Sequence, residues 1–199
     1  MWLLVGLGVL LRLRLYLANR SLWLDEATLS LNIVGRSWTG LAGQLDHNQV
    51  APIGFLLLEK AAVGIFGSNE FGLRLIPLIG GIGSLILFRK LALRCLFREA
   101  ALIAMLLFAF STTLIYYASE VKPYSTDVAV AVAVLLAEFA TFDSPDDVKT
   151  WRWLAIVGAI GILLSLPAAF VAAGFFLCWI PFRLRRGQIF LGPVVILGA

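Results

Sequence analysis

Charge is scarce in this chain. Only 14% of its 199 residues are Asp, Glu, Lys or Arg, where an ordinary globular domain carries about 25%. That scarcity, with 61% hydrophobic residues and a mean hydropathy of +0.95, excludes a disordered chain and a soluble nucleic-acid binder. Cysteine is nearly absent: two residues, Cys95 and Cys178, each inside an apolar stretch. They exclude a disulfide scaffold and have no metal-ligand spacing, so both read as small buried hydrophobes. Histidine occurs once, at His47. No internal repeat or low-complexity tract is visible. What is abundant is long apolar sequence, and the solvent it implies is lipid.

The fold class expected is all-α, a polytopic membrane helix bundle with interfacial helices in its first outer loop. The N-terminus is apolar from Met1 but holds Arg12 and Arg14, which favours a retained first span over a cleaved signal. Arg20 to Gln49 is polar enough to lie outside the hydrocarbon. Ala51 to Phe66 is apolar but short of the ~20 residues a span needs, so it reads as a helix along the interface. In it, Pro52 starts the helix, and Glu59 and Lys60 are expected to snorkel to the headgroups. Phe71 to Leu93, Ala100 to Tyr117 and Tyr124 to Phe142 are long enough to cross. Trp151 to Leu166 and Ala168 to Phe182 flank Pro167 and read as a hairpin, since their outer ends carry Lys149, Arg152, Arg183, Arg185 and Arg186.

Nine of the sixteen basic residues then fall in three loops, at 89–98, 143–152 and 183–186, on one face. By the positive-inside rule that face is cytoplasmic, with the N-terminus on it. The other face carries Arg20 to Gln49, Ser119 to Lys122 and the Pro167 turn. The last segment, Gln188 to Ala199, is too short to finish crossing. The chain is therefore expected to be a single membrane domain, 1–199, forming the N-terminal part of a longer protein, with its first outer loop at about 19–70.

Three blocks carry chemistry-bearing side chains. In SLWLDEATLSLNI, Asp25 and Glu26 are adjacent carboxylates at the membrane surface. Asp25 suits a helix N-cap, and Glu26 the positive end of that helix. Asp25 also suits a general base facing a cavity, and the two readings are compatible. In QLDHNQVAPIGFLLLEK, His47 with Asp25 and Glu26 makes a possible cation set, against the commoner role of a hydrogen-bonded surface histidine. In IYYASEVKPYSTDVAV, Glu120, Lys122, Tyr124 and Asp127 cluster where one helix leaves the membrane and the next re-enters. An interfacial turn explains most of them. Asp127, about one turn into the bilayer, is expensive enough to suggest a functional cavity. Glu138, nearer the other end, reads as snorkelling. Arg12 and Arg14, in the outer half of the first span, could meet a lipid phosphate or pair with these acids.

In order, the blocks SLWLDEATLSLNI, QLDHNQVAPIGFLLLEK, FGSNEFGLRLIPLIGG and YYASEVKPYSTDVA resemble the N-terminal half of bacterial membrane glycosyltransferases. These are the GT-C class, near glycosyltransferase family 39 and the dolichyl-phosphate-mannose-protein mannosyltransferases. The resemblance covers essentially the whole chain. It implies transfer of a sugar from a polyprenyl-phosphate donor to a glycan, lipid or protein hydroxyl on the non-cytoplasmic side. The setting it implies is a bacterial inner membrane, with membrane lipids as the other partners and no nucleic acid.

Within that resemblance Asp25 corresponds to the family's base, with Glu26 as the second expected catalytic residue. The His-Pro-Pro of the second block is altered here to His47 followed by Asn-Gln-Val-Ala before Pro52. Glu120, Lys122 and Tyr124 stand where Glu-Ala-Arg-x-Tyr is usual, so Lys keeps the charge and loses bidentate phosphate geometry. Departing phosphate calls for a cation, for which Lys122, Arg74, Arg12 or a divalent metal qualify. One base and direct displacement imply inversion at the anomeric carbon. Two other readings stand beside this one. The first is a transporter or flippase, against which the sequence shows neither repeated halves nor broken midplane helices. The second is a silent fragment of the same fold.

Overall fold

The computed structural model describes residues 1–185. Arg186 and the segment Gln188–Ala199 lie outside them. The described residues form an all-α membrane helix bundle: α1 (Trp2–Leu17), α2 (Leu24–Gly35), α3 (Ile53–Phe66), α4 (Glu70–Leu73), α5 (Leu75–Cys95), α6 (Arg98–Phe110), α7 (Thr112–Tyr117), α8 (Tyr124–Asp143), α9 (Val148–Leu164) and α10 (Ala168–Arg185). Two short 3₁₀ turns, Gly40–Ala42 and Asp46–Asn48, lie between α2 and α3. By length and hydropathy α5 and α8 each suffice to cross a membrane.

α5 and α8 make the most extensive helix pair, and small residues are the reason. A Cβ at Gly80 would sit 3.0 Å from the Thr126 backbone of α8; just beside it, one at Gly81 would sit 2.5 Å from the Cβ of Ala118, at the end of α7. Where lipid removes the hydrophobic drive between helices, such close backbone approach is the main source of packing energy. α1 packs against α5 and α6 through Val5, Leu85, Met105 and Ala109.

The expected hairpin at Pro167 is present. Trp151 near the start of α9 meets Trp179 of α10 edge-on at 4.8 Å, and Phe175 meets Phe142 of α8 at 5.2 Å. Relative sidedness follows from the same kind of contact. Arg89 stacks over the Trp2 ring at 4.1 Å, and Arg94 pairs with Asp143. The start of α1, the α5–α6 turn and the end of α8 therefore share one face. The polar loops share the other, over a small core of Leu29, Ile33, Leu41, Phe55, Leu56, Leu73 and Val121.

Several expectations are corrected. The second span starts at Leu75 after a break at Arg74 (φ −105°, ψ 4°), with four-residue α4 before it. The third is broken at Ser111, whose Oγ accepts from the Leu114 N–H. The reading of unbroken helices therefore fails at two points. Glu59 does not snorkel: it is fully buried on the packed face of α3, and neither carboxyl oxygen has a partner. Lys60 turns the other way and donates to the carbonyls of Ile33 and Val34, capping the end of α2. Glu138 is also buried. Cys95 and Cys178 are exposed on the outside of the bundle, not buried in it.

Candidate active site at the outer face

The site begins with the first turn of α2. Its N-cap is Trp23, not Asp25, and the Glu26 carboxylate accepts from the Trp23 N–H at 3.3 Å. Asp25 and Glu26 therefore both lie within the first turn. Adjacent helical residues diverge by about 100°, and that angle separates their environments.

Glu26 points inward and is fully buried. Arg74, freed at the α4–α5 break, donates to it from Nε at 3.2 Å and from Nη2 at 3.0–3.1 Å. The Val121 N–H adds a bond at 2.9 Å, and the Arg20 guanidinium lies 3.6 Å away. Arg74 Nη1 donates to the Arg20 carbonyl at 2.6 Å. A buried charge is tolerable only when its partners are this complete. The result ties α2, the α4–α5 break and the α7–α8 loop together. Glu26, expected as a catalytic residue together with Asp25, is thus turned into the protein and held by Arg74 and the Val121 N–H. Arg74, expected on a phosphate, has its guanidinium committed to Glu26 and a backbone carbonyl.

Asp25 points outward, with its side chain 35% exposed. Lys122 Nζ lies 2.8 Å from Oδ2, and Gln49 Nε2 donates to Oδ1 at 3.0 Å. Lys122 Nζ also donates to Gln49 Oε1 at 2.6 Å, closing a three-membered ring of contacts. The Lys122 hydrogen bond, aided by the one from Gln49, holds the Asp25 carboxyl below the usual range despite some desolvation. Gln49 was not singled out by sequence; the departure from His-Pro-Pro was the only signal. It is brought in by the Asp46–Asn48 turn, which Asn32 of α2 anchors through both backbone groups of Asp46. Arg36 adds an ion pair to Asp46 at 2.9 Å.

Glu120 lies beside this ring, buried, accepting from the Trp23 indole N–H at 2.9 Å, with Oε2 unpartnered. Burial, reinforced by the nearby Glu26 charge, pushes its carboxyl above the usual range, and the Trp23 bond offsets part of that. Tyr124 is 39% exposed, packs against Tyr117 with ring centroids 4.7 Å apart and planes tilted by 46°, and feels the charges of Asp25 and Glu120. Arg20, also missed from sequence, lies over the Tyr116 ring at 4.3 Å.

Three expected members are not brought in. Arg12 is buried against α5 and α6, and its Nη1 donates to the Gly8 and Ala109 carbonyls. It serves the carbonyl end of α6 exposed by the break at Ser111, and pairs with no acid. Asp127 is half-buried on α8 and faces Ser165 of the α9–α10 turn. His47 is exposed, in a left-handed conformation (φ 59°, ψ 33°). The cation set of Asp25, Glu26 and His47 is therefore not assembled, and no group of three such ligands occurs among the described residues. With Glu26 turned inward and Asp25 already matched by Lys122, the donor set does not fit a metal.

The model of one protein family, dolichyl-phosphate-mannose-protein mannosyltransferase, matches residues 50–199. The chain belongs to that family. Membership places it among membrane glycosyltransferases of the mannosyltransferase type. The matched stretch contains Lys122, Glu120 and Tyr124; Gln49 immediately precedes it, and Asp25 lies well before it in the chain. No curated protein and no solved structure matches the chain.

Proposed function

We propose that this chain is the donor-side part of an enzyme that transfers a sugar from a polyprenyl phosphate to an acceptor hydroxyl at the non-cytoplasmic membrane face. Asp25 is the general base. The observation that carries the reading is the ring Asp25–Gln49–Lys122, with a partly exposed carboxylate held against a cation on the same face as Glu120 and Tyr124.

In this reaction the acceptor oxygen forms its bond to the anomeric carbon as the glycosyl–phosphate bond breaks. The bonding pair leaves on the phosphate oxygen, and the acceptor proton passes to Asp25. Phosphate is a good leaving group, so no strong acid is needed, and a carboxylate kept ionised suits the base. Lys122, on its flexible stem, is the cation for the phosphate charge. A single displacement inverts the anomeric centre.

The prenyl chain needs an apolar path that starts near this ring. A groove of about 570 Å³ between α5, α8 and α9 meets that need, lined by Ile76, Gly80, Gly83, Thr126, Ala133 and Trp153. It begins at Thr126, within one turn of Tyr124. In this orientation the N-terminus and the loop at 89–98 are cytoplasmic.

The test is a screen of polyprenyl-phosphate sugars, mannosyl first, on membranes holding the protein, with and without chelator. Transfer that Asp25→Asn removes while insertion is kept supports the reading. Wild-type rates in that variant remove Asp25 from the mechanism.

A further inference from the structure

A second site lies in the opposite half of the membrane, far along α8 from the ring at Asp25. Glu138 is 5% exposed, and its Oε1 is buried with no hydrogen-bond partner among the described residues. It lines a pocket of about 390 Å³ between α8 and α10, whose other walls are Phe139, Phe142, Phe170, Gly174 and Phe175. An ionisable group held within the hydrocarbon region is costly and by default functional. Among the residues whose side chains are described, no basic one is bonded to it: Arg94, over the Phe139 ring, is committed to Asp143 and the Phe139 carbonyl.

We propose that this pocket binds a primary ammonium group carried on an apolar stem, as in an aminolipid or a long-chain amine. Each feature selects that chemistry. An anion would be repelled by Glu138, and a purely apolar ligand would leave Oε1 unpaired. An ammonium donates to Oε1 while its charge faces phenyl rings, which attract cations through their negative faces. The stem occupies the aliphatic and aromatic remainder of the pocket. Access is short: Glu138 is five residues, about 7.5 Å of helix, from Asp143 at the membrane face. A divalent cation finds no ligand set, since no three acidic, histidine or cysteine groups converge among the described residues. The site is independent of the transfer reaction proposed for the outer face.

The test uses the full chain in neutral micelles, with hexadecylamine, hexadecanol and hexadecyl sulfate titrated separately and bound ligand counted by native mass spectrometry. Hexadecylamine is expected to bind at least about tenfold more tightly than hexadecanol, with the sulfate weakest. Glu138→Gln, which keeps size and removes charge, is expected to bring amine and alcohol within about twofold. A side chain at Gly174 meets open space, so Gly174→Leu should fill the pocket and weaken both. Equal binding of amine and alcohol to the wild type overturns the proposal without recourse to a variant. An undiminished amine preference in Glu138→Gln also overturns it. A parallel arm compares phosphatidylethanolamine with phosphatidylcholine. Retention of the ethanolamine lipid assigns the site to phospholipid headgroups, and retention of hexadecylamine alone assigns it to single-chain amines.

Discussion

The cluster at the polar loops has a sealed half and an open half, built from neighbouring carboxylates on one helical turn. Glu26 is fully buried and saturated by Arg74, the Trp23 N–H and the Val121 N–H. Asp25 is partly exposed, and it contacts two long polar side chains, Lys122 and Gln49. Residue type does not distinguish them; the number and rigidity of their partners does. Saturation makes a carboxylate a structural clamp. Partial exposure beside a cation keeps one ionised and reachable, the protonation state in which it can accept a proton. The clamp also aims the proposed base, since Glu26 fixes the turn from which Asp25 projects.

The largest effect that separates the two halves is expected from Asp25→Asn. Loss of a general base lowers transfer by about 10²–10⁴-fold, with membrane insertion and thermal unfolding unchanged. Removing the clamp should do the opposite. Arg74→Met leaves buried Glu26 without its hydrogen-bonded cation, with only the Arg20 guanidinium at 3.6 Å; breaking such a buried pair costs about 3–5 kcal/mol and is read as a lower unfolding midpoint. If Arg74→Met instead lowered turnover with stability intact, the division between the halves would be wrong.

Lys122→Met should raise the donor KM more than the acceptor KM, measured in separate titrations. It should also move the acid limb of the pH profile. Asp25 is held below the usual carboxylate range chiefly by Lys122. Its ionised form, and the stability of its ion pair, are present above that range and lost as pH falls through the depressed value. Without Lys122 the acid limb shifts to higher pH.

Glu120 has the reverse sign, because burial raises its carboxyl. Its contribution to stability is present at low pH and is lost as pH rises through the raised value. Glu120→Gln should flatten that part of the stability–pH curve. The smallest change is expected from Gln49→Leu, which removes a bridge between two charged groups, with hydrogen bonds to charged groups worth about 1.5–3 kcal/mol. A modest fall in kcat/KM, with the donor KM nearly unchanged, would mark Gln49 as a positioning residue.

Much of this architecture was legible along the chain. The apolar runs, their lengths and the basic loops identify a multi-helix membrane protein, and Pro167 with its flanking cations identifies the hairpin. The breaks at Arg74 and Ser111 were not legible, because each is stabilised from afar: Glu26 holds Arg74, and Arg12 answers the Ala109 carbonyl. Glu59 misled for a related reason. A carboxyl beside a lysine in an apolar helix looks like a headgroup anchor, but the two side chains point to opposite sides of α3, one into the packed face and one to α2.

Hydropathy and charge order act locally, through transfer into lipid, so the amino-acid sequence alone was enough for the fold class, the helical hairpin and the resemblance that named the family. The fates of Asp25 and Glu26 depend on partners far away in sequence. Arg74 is 48 residues from Glu26, Val121 is 95, and Gln49 is 24 from Asp25. Only folding brings such groups within hydrogen-bond range, and electrostatic character is set by that range and by burial.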